Sequence, residues 1–258
     1  MLRILVLLLC AVSANAQARF FNRTVTSNGV VYHYVVSVPA DWSAGRSWPM
    51  VLFLHGSNER GDDGVAQSKV GLARAVREHP ERFPAIVVMP QCRPENDWTS
   101  PAMEAQILAA LDASSREFHG DPQRTYLTGI SMGGFGVWHL AQKYPGKFAA
   151  LVIICGGIRP PIAALNAYPG LTKVTPPDSP ESYMAAAERV GKTPVWIFHG
   201  ADDDIVPVIE SRRMSEAMKQ IGAEVHYTEY PGVGHPCWNK AYDEPKLFPW
   251  LFSKSLPD

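Results

Sequence analysis

Short runs of apolar residues alternate with longer segments of mixed character along most of the chain. In the runs, apolar and β-branched residues follow one another directly, which is typical of strands buried on both faces. In the longer segments, apolar residues recur every three to four positions, which predicts helices. Strands are predicted at residues 24–26, 30–38, 50–55, 85–89, 124–128, 149–155, 195–199 and 225–230. Helices are predicted at residues 65–78, 103–118, 132–143, 208–221 and 246–253.

This alternation predicts a single domain of the α/β class, with a mostly parallel central sheet and helices on both faces. Ser27, Asn28 and Gly29 separate the first two predicted strands, so we expect an antiparallel hairpin at the N-terminal end of the sheet. Residues 156–180 interrupt the rhythm because they are rich in Pro and Gly. Since they follow a strand, we expect them over the carboxyl edge of the sheet, as a surface loop or as a cap that shapes a substrate cleft.

The first 16 residues have the pattern of a secretory signal. Arg3 supplies a positive start, the apolar run 4–12 is too short to cross a bilayer, and Ala14-Asn15-Ala16 fits the small-x-small cleavage pattern. We therefore expect a signal peptide at residues 1–16, a mature domain at residues 17–258, a secreted or periplasmic location and no stable membrane anchor. A buried N-terminal helix is the alternative interpretation.

Composition and charge add few constraints. With 46% hydrophobic and 19% charged residues the chain can build one sizeable core, and its net charge of -1 offers no basic surface for nucleic acid. Three cysteines follow the predicted signal: Cys155 lies in a predicted buried strand, and Cys92 and Cys237 lie in loops. Export permits disulfides, and their loop positions favour Cys92 and Cys237 as the pair. Three unpaired thiols are the alternative.

The stretch Gly129-x-Ser131-x-Gly133 joins a predicted strand to a predicted helix, which is the form of a nucleophile elbow. Small residues are needed on both sides of such a serine, because larger side chains would collide with the strand and the helix. The turn also places the hydroxyl at a helix N-terminus, which favours developing negative charge. An ordinary glycine-rich turn with a capping serine is the alternative.

A serine nucleophile needs a base and an acid that orients the base. His235 lies in a glycine-rich loop after the last predicted strand, which can bring an imidazole back over the sheet. Asp202, Asp203 and Asp204 follow the strand at 195–199, and the residues alone do not choose among them. A metal site is a competing interpretation of three aspartates, but the alternating ligands and final Glu of an EF-hand loop are absent.

Four motifs carry a resemblance that covers nearly all of the chain after residue 16. They are LHGSNERGDDG at 54–64, GISMGG at 129–134, HGADDDIVP at 199–207 and GVGHPCW at 232–238. In this order they resemble the α/β-hydrolases, closest to secreted esterases related to dienelactone hydrolases, carboxylesterases and phospholipases, feruloyl esterases and polyhydroxyalkanoate depolymerases. Such sequences are also described as predicted peptidases. The motifs are highly specific to the superfamily and far less specific about substrate.

The resemblance assigns further roles. It selects Asp203 as the acid and makes His199 structural. Acyl transfer needs N–H donors for the oxyanion, and we expect one from the backbone of Met132, directly after the nucleophile. The resemblance implies the backbone of Ser57 as the second donor, with Asn58 as the alternative. It also suggests that Glu59 and Arg60 form an internal ion pair. The alternative is that the two charged side chains are exposed to solvent.

The expected activity is that of a secreted serine carboxylesterase acting through an acyl-enzyme, without a metal or cofactor. Trp98 and Trp238 are expected near the cleft, where aromatic walls suit an aromatic acyl group or a sugar ring, or else they pack the loops. The expected partner is a small-molecule or polymer-linked ester, preferably a feruloyl or acetyl ester of plant polysaccharide. The alternatives are a polyester depolymerase, a peptidase, and a binding protein on a hydrolase scaffold. The oligomeric state is left open.

Overall fold

The computed structural model describes residues 17–159 and 178–257. The predicted signal peptide and most of the predicted loop at 156–180 therefore lie outside the described residues. Within the described ranges eight strands form one sheet. They are β1 (Arg19–Ser27), β2 (Val30–Val38), β3 (Trp48–Leu54), β4 (Ile86–Pro90), β5 (Gly120–Ile130), β6 (Ala150–Ile154), β7 (Val195–Gly200) and β8 (Val225–Tyr230).

The sheet order is β1-β2-β4-β3-β5-β6-β7-β8. The first two strands form an antiparallel hairpin and β2 is also antiparallel to β4, whereas all other neighbours are parallel. Asn28 and Gly29 turn the hairpin with φ values of +50° and +77°, a left-handed conformation that both residue types tolerate. The predicted sheet, mostly parallel with an antiparallel N-terminal hairpin, is confirmed.

Helices and short 3₁₀ turns connect the strands. The helices are α1 (Leu72–Glu78), α2 (Pro101–Phe118), α3 (Met132–Lys143), α4 (Pro180–Val190), α5 (Ile209–Gln220), α6 (Trp238–Tyr242) and α7 (Leu247–Phe252), and the 3₁₀ turns are Ser57–Glu59, Ala66–Ser68 and Pro80–Arg82. None of the described helices is both long and apolar enough to cross a membrane.

The core lies on both faces of the sheet. Along β3, Leu52 and Leu54 join one buried cluster, which includes residues of α2, α3, α4 and α5, and Val51 and Phe53 join the other, which includes residues of α1, α6 and α7. Successive side chains of a strand point to opposite faces, so a strand buried on both sides must be apolar at every position. This explains why the predicted strands are continuous apolar runs.

The helix predicted at 65–78 is wrong in its first half. A 3₁₀ turn at Ala66–Ser68 comes first, and α1 begins only at Leu72. Between them Gly71 has φ +54°, and a β-carbon there would lie 3.1 Å from the Phe53 ring. The chain thus turns sharply at Gly71 against the core, which the spacing of apolar residues does not reveal.

Glu210 holds the start of the segment that follows β6. Its buried carboxylate accepts hydrogen bonds from the backbone N–H groups of Ile158 and Arg159, each at 3.2 Å, and from the Tyr183 hydroxyl at 2.7 Å. The chain therefore leaves the carboxyl edge of β6 along α5.

Candidate active site

Ser131 lies at the turn between β5 and α3 with φ +51°. A β-carbon on Gly133 would collide with the carbonyl oxygen of Leu54, and one on Gly129 would collide with the Gly133 backbone. Because these neighbours are backbone atoms, they cannot move aside as a flexible side chain would. Both positions therefore require glycine, and the turn has the strained geometry of a nucleophile elbow.

The structure brings together the three residues that the sequence predicts for the relay. The Ser131 hydroxyl lies 2.8 Å from Nε2 of His235, and Nδ1 of His235 lies 2.7 Å from Oδ2 of Asp203. Since a carboxylate only accepts, Nδ1 carries the hydrogen and Nε2 is free to accept the proton of the serine. This is the tautomer that a general base needs in acyl transfer.

Asp203 is the most strongly held of the three consecutive aspartates. Its side chain is fully buried, and Oδ1 accepts the backbone N–H groups of Ile205 and Val206 at 2.9 and 2.8 Å. Asp202 and Asp204 are exposed. Burial by itself would raise the pKa of the Asp203 carboxyl, but the hydrogen bonds from His199, His235 and the two N–H groups outweigh it and hold that pKa well below its usual range.

His199 is a fourth member of the site that the sequence interpretation treated only as structural. Its Nε2 lies 3.0 Å from Oδ2 of Asp203 and 3.0 Å from the carbonyl oxygen of Val206. Both of these atoms are acceptors, so Nε2 carries a hydrogen. Nδ1 lies 2.7 Å from the Ser211 hydroxyl. His199 thus contacts the same carboxylate oxygen of Asp203 that His235 does and helps to hold the acid in place.

The predicted oxyanion donors each begin a helical turn next to the nucleophile. Met132 directly follows Ser131, and a β-carbon on Gly56, the residue before Ser57, would lie 3.8 Å from Cβ of Ser131. Met132 is the first residue of α3 and Ser57 the first of the 3₁₀ turn after β3, and N–H groups at such positions have no acceptor within their own helix. The Glu59 carboxylate accepts the backbone N–H of Gly56, the residue before this turn. That contact closes the turn in the manner of a capping box. Burial raises the pKa of Glu59, and the N–H contacts partly oppose the shift.

His55 orients the second donor. The backbone N–H of Cys92 lies 3.0 Å from Nε2 of His55, which makes Nε2 the acceptor, so Nδ1 carries the hydrogen that it donates to the Gly56 carbonyl at 2.6 Å. The Gly56 carbonyl and the Ser57 N–H share one peptide plane and point in opposite directions. Holding the carbonyl on His55 therefore aims the Ser57 N–H away from the core.

The two buried histidines that position the site, His55 and His199, occur in the same dipeptide in the sequence. His55 and His199 each precede a glycine where an apolar strand ends, in His55-Gly56 and His199-Gly200. The repeated dipeptide marks two places where a buried imidazole fixes a turn at the carboxyl edge of the sheet.

Arg60 connects the turn that carries Ser57, residues 56–60 and here called the oxyanion loop, to the chain after β4. Its Nε donates to the Ser57 carbonyl at 3.0 Å, and its guanidinium reaches the carbonyl oxygens of Pro94 and Asn96 at 3.3 and 3.4 Å. The ion pair between Arg60 and Glu59 stays a prediction.

The two tryptophans expected at the cleft have different places. Trp238 lines the pocket beside Ser131, and its ring centre lies 5.9 Å from that of His235. Trp98 is fully buried, so the expectation that it contacts substrate is wrong. Its Nε1 donates to the His55 carbonyl at 2.9 Å, and its ring packs edge-on against the His55 ring at 4.8 Å. Trp98 therefore supports the oxyanion loop from behind.

The favoured pairing of Cys92 with Cys237 is also wrong. All three described cysteines, Cys92, Cys155 and Cys237, are buried and free. The Cys92 backbone belongs to the contact with His55, whereas the side chain of Cys237 meets that of Cys155. The alternative of three unpaired thiols is the arrangement in the structure.

Comparison with known proteins places this site in a family. Residues 95–252, more than half of the chain, match the model of the prolyl oligopeptidase family. The chain belongs to the prolyl oligopeptidase family. A solved structure described as a thermostable esterase is 30% identical with a TM-score of 0.75, over 92% of this chain and 63% of that one. A ferulic acid esterase at 19% identity and a TM-score of 0.70 covers 93% of this chain and 99% of its own, which shows the fold.

Among curated proteins, acyl-protein thioesterase 1 of Gibberella zeae is 38% identical over 66 residues, 26% of this chain and 27% of that protein. The chain spans 27%, 34% and 24% of the length of the first three curated relatives that it matches. Membership of the prolyl oligopeptidase family, together with esterase neighbours, confirms the predicted α/β-hydrolase fold and the resemblance to hydrolases of esterase type.

Proposed function

We propose that the protein is a serine hydrolase that cleaves carboxylic esters through an acyl-enzyme. The observation that carries this proposal is the continuous hydrogen-bonded relay from the Ser131 hydroxyl through His235 to the buried carboxylate of Asp203. The relay opens onto a pocket that Ser131 and His235 both line. A binding protein on a hydrolase scaffold would have no need of this relay.

In the acylation step the Ser131 oxygen attacks the ester carbonyl carbon while Nε2 of His235 takes the serine proton. Asp203 stabilises the resulting imidazolium, and its carboxylate stays ionised because it accepts hydrogen bonds from four donors. The carbonyl oxygen becomes an oxyanion between the N–H groups of Met132 and Ser57. One such donor is worth about 3–4 kcal/mol of transition-state stabilisation. His235 then protonates the leaving alcohol.

In the deacylation step water takes the place of the alcohol. His235 accepts a proton from the water, the hydroxide oxygen attacks the acyl carbon, and the second tetrahedral intermediate uses the same two N–H donors. The proton then returns to the Ser131 oxygen as the acid leaves. The chemistry requires only the side chains and backbone donors already named.

The pocket favours a short acyl group. It has a volume of about 150 Å³, and Ile130, Ile205 and Trp238 supply apolar walls beside Ser131. A cavity of this size suits an acetyl group better than a feruloyl group, so acetyl esters, small or polymer-linked, are the proposed substrates. The signal-like pattern of residues 1–16 supports a secreted or periplasmic location.

A peptidase is the second candidate, because the family that the chain belongs to is named for prolyl oligopeptidases. The relay itself serves amide and ester cleavage alike. Esters rank first because the thermostable esterase is 30% identical over most of this chain. A polyester depolymerase remains the third candidate, since it would use the same relay.

Hydrolysis of a substrate panel tests the proposal. We expect the protein to cleave p-nitrophenyl acetate and butyrate faster than octanoate or methyl ferulate, and aminoacyl p-nitroanilides slowest. Ser131→Ala should remove the activity, while Ser255→Ala, a change at an exposed serine near the C-terminus, should retain it. Cleavage of the anilides at rates above the esters would favour the peptidase. Ester cleavage that survives in Ser131→Ala would overturn the proposal.

A further inference from the structure

A second group of reactive side chains lies directly behind the relay. Cys155 follows β6 and is fully buried. Its φ of +44° is a strained backbone conformation for any residue other than glycine. Its Sγ, a carboxylate oxygen of Asp203 and a ring nitrogen of His235 all lie within 4.8 Å of one another. In residues 17–159 and 178–257 this is the one group of three or more His, Cys, Asp or Glu side chains with ligand atoms so close.

The three atoms are of the kinds that bind zinc-like cations. Zinc takes thiolate sulfur, imidazole nitrogen and carboxylate oxygen at about 2.0–2.3 Å, in roughly tetrahedral geometry. Those bond lengths place ligand atoms about 3.5 Å apart. The three atoms now lie within 4.8 Å of one another, so small side-chain rotations bring them to that spacing. A thiolate ligand also selects soft cations over magnesium and calcium, which prefer oxygen.

We propose that Cys155, Asp203 and His235 bind one thiophilic divalent cation, such as Zn²⁺ or Cd²⁺, and that this binding blocks hydrolysis. Binding of the cation stands on the cluster alone, whereas the block rests on the proposed function. The site would make the protein sensitive to such cations wherever they reach the pocket.

The block follows from proton placement on His235. The cation replaces the thiol proton of Cys155, which passes to solvent, and forms bonds to sulfur, a carboxylate oxygen and one ring nitrogen. Bonding to Nδ1 moves the ring hydrogen to Nε2, which then cannot accept the proton of Ser131. Bonding to Nε2 occupies the base atom directly. In both cases one proton leaves per cation, nothing is oxidised or reduced, and the general base is lost.

The cluster is compatible with an active enzyme when no cation is bound. Burial first, and then contact with the Cys237 side chain, raise the pKa of the Cys155 thiol well above its usual value. An uncharged thiol beside Asp203 leaves the negative charge of the carboxylate available to His235. Because Cys155 is fully buried and its side chain contacts that of Cys237, we expect the inhibition to develop slowly.

Titration of the reduced, metal-free protein with Cd²⁺ tests the site without relying on activity. Thiolate–cadmium bonds absorb in the ultraviolet, and we expect this band to saturate at one cation per chain. Cys155→Ser should weaken the binding by at least about 10–100-fold. Even mutation of residues that only hydrogen-bond to a metal ligand lowers metal affinity by about that factor. Cys92→Ser, a matched change at another buried thiol, should bind as the wild type does. An unchanged band in Cys155→Ser, or no band in the wild type, would overturn the site.

A second measurement uses the unmodified chain, in case Cys155→Ser folds poorly. Zn²⁺ should slow alkylation of Cys155 relative to Cys92, as read by peptide mass spectrometry. Equal slowing at both residues, or none, contradicts the proposal.

Ester hydrolysis with and without Zn²⁺ then tests the block, each variant being compared with its own metal-free rate. Loss of activity that tracks the occupancy of Cys155 is expected. Cation binding at Cys155 in a protein without hydrolase activity would keep the site and refute the proposed function. Full activity with the site occupied would refute the block.

Discussion

At the scale of single residues, three consecutive aspartates follow β7, and their surroundings single out one. The residue types predict an acid at this place, but Asp202, Asp203 and Asp204 are equivalent as a sequence. The acid is the aspartate whose carboxylate contacts His235, 32 residues further along the chain. The residue types do not show which aspartate this is, whereas the resemblance to the α/β-hydrolases selects Asp203. The structure adds the reason: Asp203 alone of the three is buried among donors.

Asp203→Asn should lower kcat by about 10⁴-fold, because an amide at this position holds the imidazole of His235 in the wrong tautomer. Asp202→Asn and Asp204→Asn change exposed side chains and should stay close to the wild type. Steady-state kinetics on p-nitrophenyl acetate checks all three variants. Comparable losses in Asp203→Asn and either neighbour would contradict the assignment of the acid.

At the scale of elements, the elbow depends on how closely β5, α3 and the end of β3 approach one another. Gly133→Ala places a methyl group against the Leu54 backbone, which cannot give way, so we expect a loss of about 3 kcal/mol or more in the free energy of unfolding. Gly45→Ala is the matched control, since nothing lies within 4 Å of the added carbon. Urea unfolding measures both. Equal stabilities for the two variants would mean that the elbow is not closely packed.

The elements themselves were predictable to different degrees. Strands buried on both faces have continuous apolar runs, and α3 and β8 have the predicted bounds. Helix α4 was missed although Ser179, Pro180 and Gly191 mark its two ends, because its neighbourhood reads as an irregular loop. Helix α6 has five residues, too few for any periodicity. The sharp turn at Gly71 depends on a close approach to Phe53, which only the tertiary structure creates.

At the scale of the whole molecule, the parallel sheet gathers the site at one edge. Ser131, Asp203 and His235 follow β5, β7 and β8, and the oxyanion loop follows β3, all at carboxyl ends of strands. The order of these groups along the chain could be predicted from the motifs. The contacts of the supporting residues His55, His199 and Trp98 could not, because they form between segments that are far apart in the sequence. The His-Gly dipeptides at the ends of β3 and β7 mark the two histidines but do not show what each one holds.

These supporting residues should make the fold sensitive to acid. Burial lowers the pKa of His55 to about 4, against about 6.5 in the unfolded chain. Between these values the unfolded chain binds a proton that the folded protein does not, so the free energy of unfolding falls as the pH drops. From about pH 7 to about pH 5 this group should cost about 2 kcal/mol.

His55→Gln provides the comparison, because its amide keeps a donor and an acceptor but does not titrate in this range. Urea unfolding at both pH values should show a smaller loss of stability in the variant than in the wild type. Equal losses would mean that His55 is not held neutral in the folded protein.

The central claim is that Ser131 is a nucleophile activated by His235, and labelling with a fluorophosphonate tests it most directly. The serine oxygen should displace fluoride from phosphorus and leave one phosphonyl group per chain, located on Ser131 by peptide mass spectrometry. Labelling should be lost in Ser131→Ala and slowed strongly in His235→Ala, in step with ester hydrolysis. A wild-type protein that stays unlabelled, or a label on another residue, would contradict the account.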